Sequence, residues 1–146
     1  MTTKTVLHHY LGTGLKFEDW SGQINELKSV YFYEKGDIFV NGYSLIEVKP
    51  ALHSMNRLTQ PLENGDIPIL MLAKIAFPEQ DWKLVDKCAK FNRYYSFFYS
   101  EGFQLVYNGI HLRVNNQLEC FQYLINNHFN CFSLPESEYI EKSTLK

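Results

Sequence analysis

The stretch from Glu79 to Tyr99, EQDWKLVDKCAKFNRYYSFFY, decides how this chain is read. At about 100° per residue, Leu84, Cys88, Phe91, Tyr95 and Phe98 follow one another in steps of 4, 3, 4 and 3 and form one narrow apolar stripe. That spacing predicts a helix from Glu79 to Tyr99, ended by Gly102. On the same wheel Lys83, Lys87, Lys90 and Arg93 fall on a neighbouring, roughly opposite arc. Asp86 interrupts the arc, which keeps a local charge of about +3.

Downstream, Phe103 to Tyr107 and Ile110 to Val114 flank Asn108-Gly109, a pair that tolerates the positive φ angles of a two-residue hairpin turn. Alternation sets Phe103, Leu105 and Tyr107 on one face, opposite Ile110, Leu112 and Val114. A last long helix is expected from Asn115 or Asn116, where Asn116 and Glu119 have the spacing of a capping box. Leu118, Phe121, Leu124, Ile125, His128, Phe129 and Phe132 then recur at helical intervals until Pro135. The polar tail from about residue 136 has Tyr139 and Ile140 as its large anchors.

Upstream, Asp66 ahead of Pro68 predicts a short buried helix over Ile67 to Phe77, stopped by Pro78. Lys49 to Asp66, with Pro50, Pro61 and Asn64-Gly65, reads as an irregular crossing. Asp37 to Val40 and Tyr43 to Val48 flank Asn41-Gly42 as a second hairpin of the same turn chemistry. With Leu27 to Tyr33 they make a three-stranded meander, and Leu15 to Phe17 is a candidate fourth strand. The expected fold is α+β: an antiparallel N-terminal meander, a helix pair, a second β-hairpin, and a C-terminal helix packed on the sheet.

Length and composition set the class. A chain of 146 residues reads as one globular domain, 1–146, able to bury a core without staples. Its 45% hydrophobic and 16% aromatic content excludes disorder and low complexity. A net charge of −2 gives the whole chain no electrostatic reason to seek nucleic acid or an anionic membrane, so any charge argument is local. Cys88, Cys120 and Cys131 are odd in number and share no CxxC spacing, which predicts free thiols in a reducing compartment. The N-terminal MTTKTVLHHYLGTG has only Val6-Leu7 before two histidines, so no secretory segment is expected, and no stretch approaches a membrane span. The expected location is the cytoplasm of the host cell, with the virion as the alternative.

Motifs that carry chemistry are missing. GxSxG, HExxH, GxGxxG and GxxxxGK[ST] do not occur. Of the five histidines, His8 and His9 point to opposite faces of a strand, and His128 with Cys131 would lie roughly 12 Å along a helix from Cys120, too far for one tetrahedral site. Gly12-Thr13-Gly14 reads as a tight bend, and Glu18-Asp19 and Glu136 with Glu138 as solvated carboxylates. No catalytic, metal or cofactor-binding residue is expected, and no cofactor. The Lys83 to Arg93 arc is foremost a solvated helix face, with nucleic-acid binding as the lesser reading.

Three strings carry a resemblance: YLGTGL at Tyr10 to Leu15, EVKPALHSMNRLTQPLENG at Glu47 to Gly65, and LECFQYLINNHFNCFSLPESEYIEKSTL at Leu118 to Leu145. They resemble a group of short uncharacterised proteins encoded by phages and prophage-like elements of gut Bacteroidetes. Here His53 and Met55 stand where that group has Arg and Leu, and Asn130 where it has Asp. The resemblance implies a phage or mobile-element origin and carries no site residue, because the group has no known activity.

What remains is surface. The expected function is that of a non-enzymatic accessory protein that acts by binding a host or phage protein or by self-association, with a virion or assembly component and a small nucleic-acid binder as alternatives. Eight of the 23 aromatic residues lie between Phe91 and Tyr107, more than one helix stripe can bury. The expected contact surface is therefore Lys83, Lys87, Lys90, Arg93, Tyr94 and Phe97.

Overall fold

Two Asn-Gly pairs turn the chain where the sequence places them. Asn41 and Gly42 have φ of 53° and 83°, and Asn108 and Gly109 have 47° and 84°, the doubly left-handed backbone of a tight hairpin turn. A computed structural model describes residues 2–34, 36–43 and 47–145. Among these it shows an α+β fold, and no helix is long and apolar enough to cross a membrane. The chain divides into two compact units, residues 1–55 with 124–146, and residues 56–123.

The first unit starts with a short helix, α1 (Thr3–Leu7), whose N-terminal threonine, Thr2, accepts a hydrogen bond from the Thr5 amide. Strand β1 (Lys16–Asp19) pairs antiparallel with β2 (Ile24–Glu26) and with β5 (Val48–Leu52), and β11 (Ile140–Glu141) adds to β5 in parallel. Strands β3 (Val30–Phe32) and β4 (Ile38–Val40) form a separate two-stranded ribbon. The expected meander is thus corrected. Val40 and Tyr43 exchange two backbone hydrogen bonds across the Asn41-Gly42 turn, of 2.9 and 3.0 Å. The middle of the expected second arm, residues 44–46, lies outside the described residues, and Val48 onward pairs with β1 instead of β4. Lys49 to Leu52, read as irregular, is therefore strand, with Pro50 opposite Phe17. Val6, Leu7, Tyr10, Leu15, Phe17, Val40 and Leu52 fill the core of this unit, and Tyr139 of the polar tail packs against them.

The second unit holds helix α2 (Pro68–Ala76), which begins with Pro68 in its first turn and buries Ile69, Leu72, Ala73 and Ala76. Here the expected helix over Glu79 to Tyr99 is overturned. That stretch forms three strands, β6 (Lys83–Val85), β7 (Cys88–Phe91) and β8 (Tyr95–Tyr99), which continue into β9 (Phe103–Tyr107) and β10 (Ile110–Leu112) as a five-stranded antiparallel meander. The helix pair reduces to α2 alone, while the predicted second hairpin stands as β9 and β10, with Tyr107 opposite Ile110 and Leu105 opposite Leu112. Aromatic and β-branched residues favour the pleated sheet, and the turn residues Asp86 and Asn92 adopt φ of 56° and 43°. Asn92 Oδ1 also accepts the Tyr94 amide at 2.8 Å, closing the β7–β8 turn. Ala89, Phe97 and Leu105 stand side by side in register on the face that α2 covers, and all three are buried.

Helix α3 (Gln117–Asn126) starts after Asn116, as expected, and its Phe121 ring lies 5.2 Å from Phe103 of the sheet. It stops well before Pro135. His128 takes φ of 62° and donates its amide to Ile125, and the Phe129 amide reaches back to Leu124 at 2.9 Å. These are the two bonds of a Schellman C-cap, so His128, Phe129 and Phe132 lie beyond the helix they were expected to extend.

Candidate functional site

The residues expected to form one contact surface are parted by the strands that replace the helix. Lys83 and Lys90 are direct cross-strand partners on the sheet face opposite Ala89 and Phe97. They begin a row that runs through Ser96 and Val106 to His111 and contains no carboxylate. Lys87 lies in the β6–β7 turn, whereas Arg93 and Tyr94 lie in the β7–β8 turn at the other end of β7, roughly 13 Å of strand away. Phe97 is 0% exposed and leaves the surface altogether. Tyr94 remains exposed, with its ring 6.0 Å from Tyr107. The arc was a product of the helical wheel; the sheet offers a row of two lysines and two separate turns.

A different site stands on the α2-facing side of the same sheet. Phe77, Gln80, Trp82, Phe91, Tyr95, Leu105 and Leu112 line a cavity of about 270 Å³. The rings succeed one another around it: Phe77 to Trp82 at 6.4 Å, Trp82 to Phe91 at 6.0 Å, and Phe91 to Tyr95 at 5.7 Å. The Trp82 indole donates to the Phe77 carbonyl at 3.2 Å, which satisfies its one polar atom and fixes the ring as a wall. Tyr107, 4.7 Å from Tyr95, continues the aromatic surface outward.

Leu112, one wall of this cavity, belongs to the edge strand β10. Among the described residues no strand pairs with its outer side, and Ile110, His111 and Leu112 are all exposed, Ile110 by 62%. The opposite edge, β6, carries Lys83, a charged guard of the kind that blocks pairing with another chain. Strand β10 has no such guard, and from Phe103 to Leu118 the chain contains no carboxylate. The sequence reading found β10 and its alternation but did not show that it ends the sheet. Trp82, read as part of a helix, gave no sign of the cavity.

The first unit holds a cluster of ionisable groups. His128 is buried, and Lys142, which can only donate, faces its Nδ1, so Nε2 carries the proton and donates to the Thr13 carbonyl at 2.8 Å. Burial first, then the Lys142 ammonium, pushes the imidazole down to about 4. His53 and Glu141 lie beside it, with Nδ1 and Oε1 3.7 Å apart, and Glu141 accepts the Ser54 amide at 3.1 Å. With both nitrogens of His128 engaged, this cluster ties residues 140–142 to the core and leaves His128 no free nitrogen for a ligand. Exposed rings also mark β3, where Tyr31 and Phe32 open to solvent, as does Tyr33 just beyond it. No protein-family model, curated protein or solved structure matches this chain.

Proposed function

We propose that this chain is a non-enzymatic accessory protein that acts by binding another protein, and that its contact lies on the β10 edge of the second unit. One observation carries this reading: a strand edge that no described strand pairs with, bearing Ile110 and Leu112, adjoins exposed Tyr94 and Tyr107, while the other edge of the same sheet is guarded by lysine. Unpaired backbone groups beside apolar side chains are what another chain can pair with and bury. Its resemblance to short phage and prophage proteins supports placing it in a mobile element. The test is affinity capture from expressing cells with the wild-type chain and with Ile110→Lys, a change at an exposed position. A stoichiometric protein that binds wild type and is lost with Ile110→Lys is the expected result. A partner indifferent to Ile110, or recovery of nuclease-sensitive nucleic acid alone, overturns it.

A further inference from the structure

The β10 edge and the aromatic cavity are adjacent, and together they restrict what binds. The edge is three residues long. Pairing with a second copy along such an edge would bury far less than the roughly 1,200 Å² that a stable interface needs, so a symmetric dimer is not the occupant this surface fits. At about 270 Å³ the cavity is smaller than the roughly 300–1,000 Å³ of small-molecule sites, and it is lined by four rings, two leucines and Gln80, without a charged group. That is room for one large side chain brought in by a backbone held outside. A strand laid against β10 sets its alternate side chains on the cavity side, next to Leu112.

Charge narrows the occupant further. Arg113 follows Leu112 directly, is exposed, and makes no ion pair among the described residues. With no carboxylate from Phe103 to Leu118, the fixed charge that this stretch of chain sets beside the apolar Ile110 and Leu112 is the Arg113 cation. A segment carrying carboxylates complements it, and a basic one is repelled.

We propose that β10 takes an extended segment of another protein as a sixth strand, with one aromatic or leucine side chain set in the Phe77–Trp82–Tyr95–Leu112 cavity and an acidic residue against Arg113. This rests on the protein-binding reading above and adds the chemical class of the partner. The probes are capped peptides of sequence Asp-Thr-Phe-Thr-Asp, Asp-Thr-Ala-Thr-Asp and Lys-Thr-Phe-Thr-Lys, titrated into the labelled full-length chain and followed by the Trp82 indole N–H and the Leu105 and Leu112 methyl resonances. The acidic phenylalanine peptide is expected to shift these signals, the alanine peptide to bind about tenfold more weakly, and Arg113→Glu to reverse the preference between acidic and basic flanks. Equal binding of the phenylalanine and alanine peptides, shifts confined to other residues, or self-association of the unbound chain through Ile110 overturns the segment proposal. The capture experiment separates the two claims: a partner still lost with Ile110→Lys while the peptides fail leaves the contact reading standing and removes this one.

Discussion

Lys83 and Lys90 stand directly opposite each other across the antiparallel β6–β7 pair. Like charges in that position repel, and among the described residues Lys83 but not Lys90 has an ion-pair partner, Asp81 at 3.9 Å. Lysine on β6 serves the sheet by keeping its edge from pairing, at a small cost in stability. Replacing Lys90 with Glu turns the repulsion into a cross-strand ion pair and should stabilise the second unit by roughly 0.2–1 kcal/mol. Because Lys83 is exposed, the gain should shrink as salt shortens the Debye length to about 3 Å near 1 M. Urea unfolding at low and high salt checks both statements; an unchanged midpoint at low salt refutes them.

Phe97 and Tyr94 are three residues apart and have opposite fates. Phe97 is fully buried, stacked on Phe103 at 6.0 Å and 6.2 Å from Trp82. Phe97→Ala removes a core ring and should cost about 3–5 kcal/mol. Tyr94→Ala at an exposed turn should cost less than about 1 kcal/mol. Equilibrium denaturation of the two variants distinguishes a core role for Phe97 from a place on the contact surface.

These two residues also show why the sequence misleads between Glu79 and Tyr99. The helical stripe of Leu84, Cys88, Phe91, Tyr95 and Phe98 mixes both faces of the sheet. Leu84, Phe91 and Tyr95 point with Ala89, whereas Cys88 and Phe98 point with Lys90. Turns of two and three residues reset the alternation, and the resulting steps imitate a period of 3.6. Ala89 and Phe97, the residues that are fully buried, lie off the stripe. The same imitation carries the C-terminal periodicity past Asn126, where the left-handed backbone of His128 reverses the chain. Features that depend on two or three residues were legible: both Asn-Gly turns, Pro68 at the start of α2, and Asn116 before α3. The site was not, because its walls come from the α2 terminus, the segment between α2 and β6 that carries Gln80 and Trp82, and strands β7, β8, β9 and β10, and only the pairing order makes β10 an edge.

Asn41 does more than admit a turn. Its side-chain oxygen accepts the amides of Lys28 at 2.6 Å and Ser29 at 3.1 Å, and its amide nitrogen donates to the Glu26 carbonyl at 2.8 Å. Asn41→Gly keeps the left-handed backbone and loses these three bonds, a cost of about 1.5–4.5 kcal/mol at the usual net value of about 0.5–1.5 kcal/mol for each. Asn41→Ala loses the same bonds and adds about 1 kcal/mol for a Cβ at φ of 53°. The expected order of thermal stability is Asn, then Gly, then Ala; equal values for Gly and Ala would show that the backbone conformation contributes nothing.

His128 makes the first unit sensitive to acid. In the unfolded chain its imidazole titrates near the ordinary 6.5, and in the fold it is held neutral down to about 4 by burial and by the Lys142 ammonium at Nδ1. Between those values the unfolded state binds the extra proton, so the stability contributed by neutral His128 is complete above about pH 6.5 and is lost as pH falls toward 4. A difference of this size corresponds to as much as about 3 kcal/mol. His128→Asn, chosen because asparagine tolerates the left-handed backbone, should be less stable than wild type at pH 7.5 and should show a shallower loss between pH 6.5 and 4. Lys142→Met should also flatten this loss, since removing the ammonium lets the imidazole titrate closer to its ordinary value. Urea midpoints of the three chains across that range decide the matter: parallel curves for wild type and His128→Asn would place the acid sensitivity elsewhere.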